Sequence, residues 1–162
     1  CEVHGMEYVI AVPHNIVGPR QKYDDPFRNV ISIMLNRNLQ GLPSIIYGDG
    51  EQTRCFTWVE DMIRGIRSAG ELDQGIDGSN LIGRAFNLGS TEEISIRELA
   101  KICREVTETE ISPIEVEGYA GDSERRIPDC TDAKEALGWE ATLPLLDGIQ
   151  RTWAWMKAKN EA

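Results

Sequence analysis

The chain has 162 residues, 41% of them hydrophobic and 27% charged, which suits a globular region with a core of its own and excludes a disordered polyelectrolyte. Its formal net charge of −10 argues against a nucleic-acid binder, although a few local arginines suffice for a phosphorylated ligand. No run of about 18 apolar residues occurs, so no segment is expected to span a membrane.

Residues 8–12 read YVIAV, a continuous β-branched run of the kind that forms a strand buried on both faces of a parallel sheet. Pro13, His14 and Asn15, then Gly18 and Pro19, end it, and a polar loop follows. From residue 27 to 40, Val30, Ile31, Ile33, Met34, Leu35 and Leu39 make a helical stripe, stopped by Gly41 and Pro43. Residues 44–47 form a short strand closed by the turn Gly48-Asp49-Gly50, and 54–57 a further extended piece. The spacing predicts a helix over 59–72 with Met62, Ile63, Ile66 and Ala69 inward. A second buried strand is expected over 85–88.

Ser95 and Glu98 make a capping box for a helix reaching residue 107, which buries Ile96, Leu99, Ala100, Ile102, Cys103 and Val106. Residues 111–116 are a strand candidate. Thr131 or Asp132 caps a helix ending at Leu137 and Gly138. A last helix over 145–157 carries Trp153, Trp155 and Met156 on adjoining faces. Strand and helix alternate, so the class is α/β. The strong strands are too few for a complete doubly wound sheet, and no glycine-rich strand–turn–helix opens one. The expectation is an incomplete dinucleotide-binding sheet with an uncovered edge.

The first residues have neither a basic nor an apolar signal-peptide region, and the start without Met suggests a cut piece. The cysteines at 1, 55, 103 and 130 form no C-x-x-C pair, and His4 and His14 are not spaced with them as zinc ligands. Reduced thiols in a cytoplasmic protein, with no metal, are the plain expectation.

Several blocks are more specific. Asn15-Ile16-Val17-Gly18-Pro19-Arg20 resembles N-V-Y-G-P-R, and residues 46–54 resemble I-Y-G-D-G-x-Q-T-R. Phe56 with Val59-Glu60-Asp61 is similar to F-x-x-V-E-D, and Phe86-Asn87-Leu88-Gly89 to F-N-I-G. Ser95, Ile96, Glu98, Leu99 and Ala100 follow S-I-x-E-L-A. Gly121-Asp122, Arg125-Arg126-Ile127-Pro128-Asp129, Lys134 and Leu137-Gly138-Trp139 complete the series. In this order and spacing the blocks resemble the C-terminal, substrate-binding part of the extended short-chain dehydrogenases, the family of nucleotide-sugar epimerases and dehydratases. The resemblance runs from about residue 5 to residue 156.

The resemblance implies that residues 1–162 form a single substrate-binding region and that the N-terminal cofactor-binding region is absent. Members bind NAD or NADP and oxidise a sugar hydroxyl transiently, using a Tyr-x-x-x-Lys pair as base. Here Tyr8, Tyr23, Tyr47 and Tyr119 are followed four positions later by Val12, Phe27, Glu51 and Ser123, so no catalytic residue is assigned. The cofactor is not expected to bind this chain alone.

On the substrate side the resemblance places Pro13 and His14 near the nicotinamide, and Asn15 against the sugar or a phosphate. Asn29 and Val30 open a helix whose N-terminus faces the nucleotide. Ile45 and Tyr47 line the base. Arg54 grips the pyrophosphate with its planar fork, and one of Arg125 and Arg126 adds a second phosphate contact, with Arg125 preferred. Each also has a plain reading: a structural loop histidine, a core valine, a strand aromatic, a surface arginine. Cys55 stands where the family has Asp, Val17 where it has Tyr, and Tyr119 where many members have the Arg of R-x-G-D.

The reading favoured is the substrate-binding half of an NAD-dependent epimerase acting on a UDP-sugar. A dehydratase or UDP-glucuronate decarboxylase-like half is the alternative within the family. A non-catalytic fragment that self-associates as a homodimer, or pairs with a missing N-terminal half, is the alternative outside it.

Overall fold

The computed structural model describes residues 2–25 and 29–161. In chain order the elements are β1 (Ile10–Pro13), β2 (Ile16–Val17), α1 (Val30–Leu39), β3 (Ile45–Tyr47), β4 (Thr53–Cys55), β5 (Thr57–Trp58), α2 (Val59–Glu71), β6 (Ala85–Leu88), β7 (Glu93–Ser95), α3 (Ile96–Thr107), β8 (Ile114–Val116), β9 (Arg125–Arg126), α4 (Thr131–Leu137) and α5 (Leu145–Asn160). The α/β alternation is as the sequence predicts. Only the first residues of the expected helix from 27 lie outside the described residues. The chain divides into two compact units, one of Cys1–Ile16, Cys55–Thr91 and Pro128–Leu143, the other of Val17–Arg54, Glu92–Ile127 and Pro144–Ala162.

In the first unit β1 and β6 run parallel, with Ile10 opposite Ala85 and Val12 opposite Asn87. Helices α2 and α4 pack on this pair. Between them lie Met62, Leu81, Phe86, Leu88, Ala133, Ala136, Leu137 and Trp139. Burying a side chain such as Phe86, which is fully enclosed, contributes about 1.5–3 kcal/mol. The expected burial of β1 on both faces is not met: Tyr8 is 43% and Ile10 46% exposed. Among the described residues β1 pairs with β6 alone, so no strand is paired along its other edge.

Helix α2 corrects a second expectation. Met62 and Ala69 face inward, but Ile63 and Ile66 face solvent, and the remaining inward positions are Asp61 and Gly65. Gly65 is what lets the helix approach so closely, because a Cβ there would lie 2.8 Å from the Trp139 Nε1. The Asp61 carboxylate accepts from the Thr142 and Leu143 N–H groups at 2.8 and 2.9 Å and from the Arg64 guanidinium at 2.5 Å. The Trp139 indole N–H donates to the Asp61 carbonyl at 2.8 Å. Burial pushes the Asp61 carboxyl up, but the bonds from Leu143, Thr142 and Arg64 together outweigh it and hold the group below the usual carboxylate range.

In the second unit α1, α3 and α5 pack on one another. Their shared core comprises Ile31, Met34, Leu35, Leu99, Ala100, Cys103, Ile149 and Met156, all fully buried. Strand β3 rests on α3, pairs in parallel with β8 and buries Ile46. The buried Asn38 amide donates to the Thr107 hydroxyl at 3.0 Å and accepts from the Ser44 hydroxyl at 3.1 Å, tying α1 to α3 and to the residue before β3. Ser95 caps α3 as expected, accepting from the Glu98 N–H at 3.1 Å. Ile102 and Val106 are only half-buried. Burial pushes the Cys103 thiol up to about 12. The N-cap of α4, in the first unit, is neither Thr131 nor Asp132 but Cys130, and the preceding Asp129 accepts from the Thr131 N–H and hydroxyl.

Candidate functional site

The expected site residues divide between the two units. In the first, Pro13, His14 and Asn15 occupy the carboxyl end of β1. The His14 N–H donates to the Leu88 carbonyl, at the corresponding end of β6, at 2.9 Å. Its ring Nε2 lies 3.4 Å from the Asn87 Oδ1, and the Asn87 amide donates to the Asp129 carbonyl. Asn15 has a left-handed backbone, φ 33°, a conformation Asn tolerates better than most residues. One of its amide hydrogens goes to the Cys55 carbonyl at 2.9 Å. Thr57, which the sequence did not single out, ties this end together. Its N–H donates to the Asn15 carbonyl, its hydroxyl donates to the His14 carbonyl and accepts from the Ser90 N–H. Gly89 leaves room for the assembly: a Cβ there would sit 2.6 Å from Pro128 and 3.0 Å from His14. Pro13 is exposed and His14 and Asn15 half-buried, so a proline, an imidazole and an amide are each at least partly open at the strand end.

In the second unit, Asn29 is the N-cap of α1, its side chain accepting from the Ile31 N–H at 3.0 Å, and Val30 opens the helix half-buried. Ile45 and Tyr47 share the face of β3 opposite the buried Ile46, as the period of two requires. Arg54 lies on β4 with a side chain only 12% exposed. It donates to the Asp122 carboxylate and to the Thr53 carbonyl, each at 2.7 Å.

Strand β9 runs parallel to β4, with Arg125 opposite Thr53 and Arg126 opposite Arg54. Residues opposite each other in register share a sheet face. Arg125 therefore belongs to the face of Thr53, where its fork pairs with Glu93 at 3.0 and 3.2 Å. That fork, joined by the Thr53 hydroxyl, holds the Glu93 carboxyl below its ordinary value. Arg126 belongs to the face of Arg54, is exposed, and has no carboxylate partner among the described residues. The structure thus groups Arg54 with Arg126, and groups Arg125 with Glu93.

Two contacts were not foreseen. The Tyr119 ring lies against the Tyr47 ring, centroids 4.6 Å apart at 33°, and a hydrogen bond with Tyr47 raises the Tyr119 phenol above its ordinary value. Asp122, three residues on, is the carboxylate that holds Arg54. A Cβ on Gly118 would meet the Gly48 Cα at 3.3 Å, so the two chain segments touch through glycine backbone. That paired glycine is the one sequence signal that could have linked the loop after β8 to the turn after β3.

The chain matches the family described as GDP-mannose 4,6 dehydratase over residues 1–152. UDP-glucuronic acid decarboxylase 1 of Arabidopsis thaliana is 35% identical over 91% of this chain and 32% of its own. UDP-N-acetyl-alpha-D-glucosaminuronate decarboxylase of Bacillus cytotoxicus is 31% identical over 96% of this chain and 48% of its own. Among solved structures, the UDP-glucose 4-epimerase of Thermotoga maritima with UDP-glucose superposes with a TM-score of 0.84 at 30% identity, covering 98% of this chain and 48% of that one. The UDP-glucuronic acid 4-epimerase of Bacillus cereus, in complex with UDP-glucuronic acid and NAD, gives 0.81 at 27% identity, covering 93% and 45%. The chain spans about half or less of the length of these relatives. With a family match over nearly its whole length, the chain belongs to the GDP-mannose 4,6 dehydratase family, among the nucleotide-sugar epimerases and dehydratases of the extended short-chain dehydrogenase type.

Proposed function

We propose that this chain is the substrate-binding half of an NAD-dependent enzyme acting on a UDP-sugar, with 4-epimerisation as the first reading. The observation that carries it is the pair of arginines sharing one face of the β4–β9 ladder, Arg54 with a nearly enclosed fork and Arg126 exposed beside it. Two guanidinium groups on one face suit a pyrophosphate, whose oxygens accept bidentate bonds. In this reading the register favours Arg126 over Arg125 as the second phosphate ligand. Tyr47 and Ile45 supply the wall for the base, and the N-terminus of α1 at Asn29 and Val30 adds a favourable dipole. Asn15 meets the sugar or a phosphate, and Pro13 and His14 meet the nicotinamide.

These 162 residues contain no glycine-rich strand–turn–helix and no Tyr-x-x-x-Lys, and the ring of His14 already faces Asn87. They do not fit a dinucleotide by themselves, so the reading assigns NAD and the catalytic base to a separate cofactor-binding half. The exposed flank of β1 is the surface for that half. A groove of about 550 Å³ beside it is lined by Tyr8, Val9, Ala11, Ile66, Leu81 and Ile82 among others. A cytoplasmic setting is part of the same reading. Decarboxylation of a UDP-uronate is the second reading, favoured by the names of the sequence relatives.

Calorimetric titration of the chain with UDP, UDP-glucose and UDP-glucuronate tests this. Saturable binding is expected, weakened about tenfold or more in Arg54→Ala, the loss of a charge-assisted fork. Binding that Arg54→Ala leaves intact would remove the pyrophosphate reading. A preference for UDP-glucuronate over UDP-glucose would move the assignment to the decarboxylase.

A further inference from the structure

Residues 119–122 occupy, from within the chain, both surfaces assigned above to a nucleoside diphosphate. The Tyr119 ring lies on Tyr47, the wall assigned to the base. The Asp122 carboxylate lies on Arg54, the fork assigned to the diphosphate. Ring and carboxylate belong to a single turn, closed by the Asp122 N–H donating to the Tyr119 carbonyl at 3.2 Å. The turn has glycines on which to pivot: Gly118, in backbone contact with Gly48, precedes it, and Gly121, with φ 83° and open space around its Cβ position, lies within it. All four residues are exposed, so no buried apolar side chain anchors the turn. Segments held by a few exposed contacts open at low free energy.

We propose that this turn is a displaceable strap that imitates the ligand, closing the nucleoside-diphosphate surfaces until a base and a diphosphate replace Tyr119 and Asp122. The proposal rests on the nucleotide-sugar reading given above. It follows that the apparent affinity of the site is reduced by the fraction of molecules in which the strap is closed. Weakening either end of the strap then tightens binding at both ends. The strap also sets specificity, since a ligand lacking either the ring or the charge must displace both contacts but replaces only one of them.

The test is calorimetric titration of the chain, Asp122→Asn and Tyr119→Ala with UDP and with inorganic pyrophosphate, alongside amide exchange of residues 118–123. Asp122→Asn should tighten both ligands about fivefold, as expected for loss of a partly exposed ion pair that competes with them. Tyr119→Ala should also tighten pyrophosphate, which has no ring to contact the base wall; only a strap moving as one piece does this. Exchange over 118–123 should quicken in Asp122→Asn without ligand, and in the unsubstituted chain when UDP is added. Weaker binding in either variant, or slower exchange with UDP, overturns the strap and leaves the nucleotide site standing, because Tyr119 and Asp122 would then be ligand contacts. No binding by any of the three chains, all folded by circular dichroism, rejects the nucleotide reading and the strap with it.

Discussion

Each unit contains an aspartate–arginine pair with one enclosed partner, and these two pairs are built in opposite senses. In the first, Asp61 is the buried partner at 4% side-chain exposure and Arg64 the open one at 48%. In the second, Arg54 is the buried partner at 12% and Asp122 the open one at 41%. The buried member decides what the pair does. The Asp61 oxygens are filled by two backbone N–H groups and a threonine hydroxyl as well as Arg64, so nothing is left over for a ligand and the pair is a lock. Arg54 has a fork of five donors and spends two bonds on Thr53 and Asp122, so its pair can be exchanged for another anion.

The largest effect that would break this contrast is on stability at Asp61. Asp61→Ala removes a buried carboxylate that is the shared acceptor of the Thr142 and Leu143 N–H groups and the Arg64 guanidinium, and should cost about 3 kcal/mol in urea denaturation. A loss near that expected for Arg54→Ala would mean that the two pairs do not differ in kind. The same lock has a signature in pH. The folded Asp61 carboxyl lies below its unfolded value of about 3.9, so its contribution is complete above that pH and fades as pH falls towards the folded value. Asp61→Asn should therefore flatten the acid limb of the stability profile below about pH 4.

Gly65→Ala sharpens the point by pressing on the same lock from α2. Alanine gains up to about 1 kcal/mol of helix propensity, but its Cβ would lie 2.8 Å from the Trp139 nitrogen that donates to the Asp61 carbonyl. Overpacking of this kind costs about 1–3 kcal/mol, so a net loss is expected in the same denaturation experiment. Arg54→Ala should lower stability by no more than about 1 kcal/mol while removing most of the UDP affinity. The smallest effect belongs to Arg67, whose pair with Glu71 on α2 is exposed on both sides. Arg67→Ala should leave the denaturation midpoint unmoved at physiological salt.

The lock and the exchangeable pair were not equally legible in the sequence. Helices α1 and α3 announce themselves by apolar spacing, and the Ser95–Glu98 box fixes where α3 begins. Helix α2 was legible in extent but not in orientation, because a count of apolar residues favours Ile63 and Ile66 while the buried face is built on Asp61 and Gly65. A glycine that admits a tryptophan and an aspartate satisfied by distant N–H groups leave no periodic trace. Strand β7 was missed because its Glu93 and Ser95 are polar and it is held by its neighbour β4 rather than by a core of its own. Arg54 was found through the Q-T-R block, but its partner Asp122 lies 68 residues away. Only the parallel register of β4 and β9 brings that loop back, and the same register separates Arg126 from Arg125.

Cys103 turns the packing of the second unit into a chemical clock. It sits on α3 with no exposed surface, and its thiol is pushed up to about 12. At neutral pH almost none of it is thiolate, the form that alkylating and oxidising reagents attack. Its modification rate therefore counts how often α3 leaves its neighbours, a traceless thermometer already written into the helix.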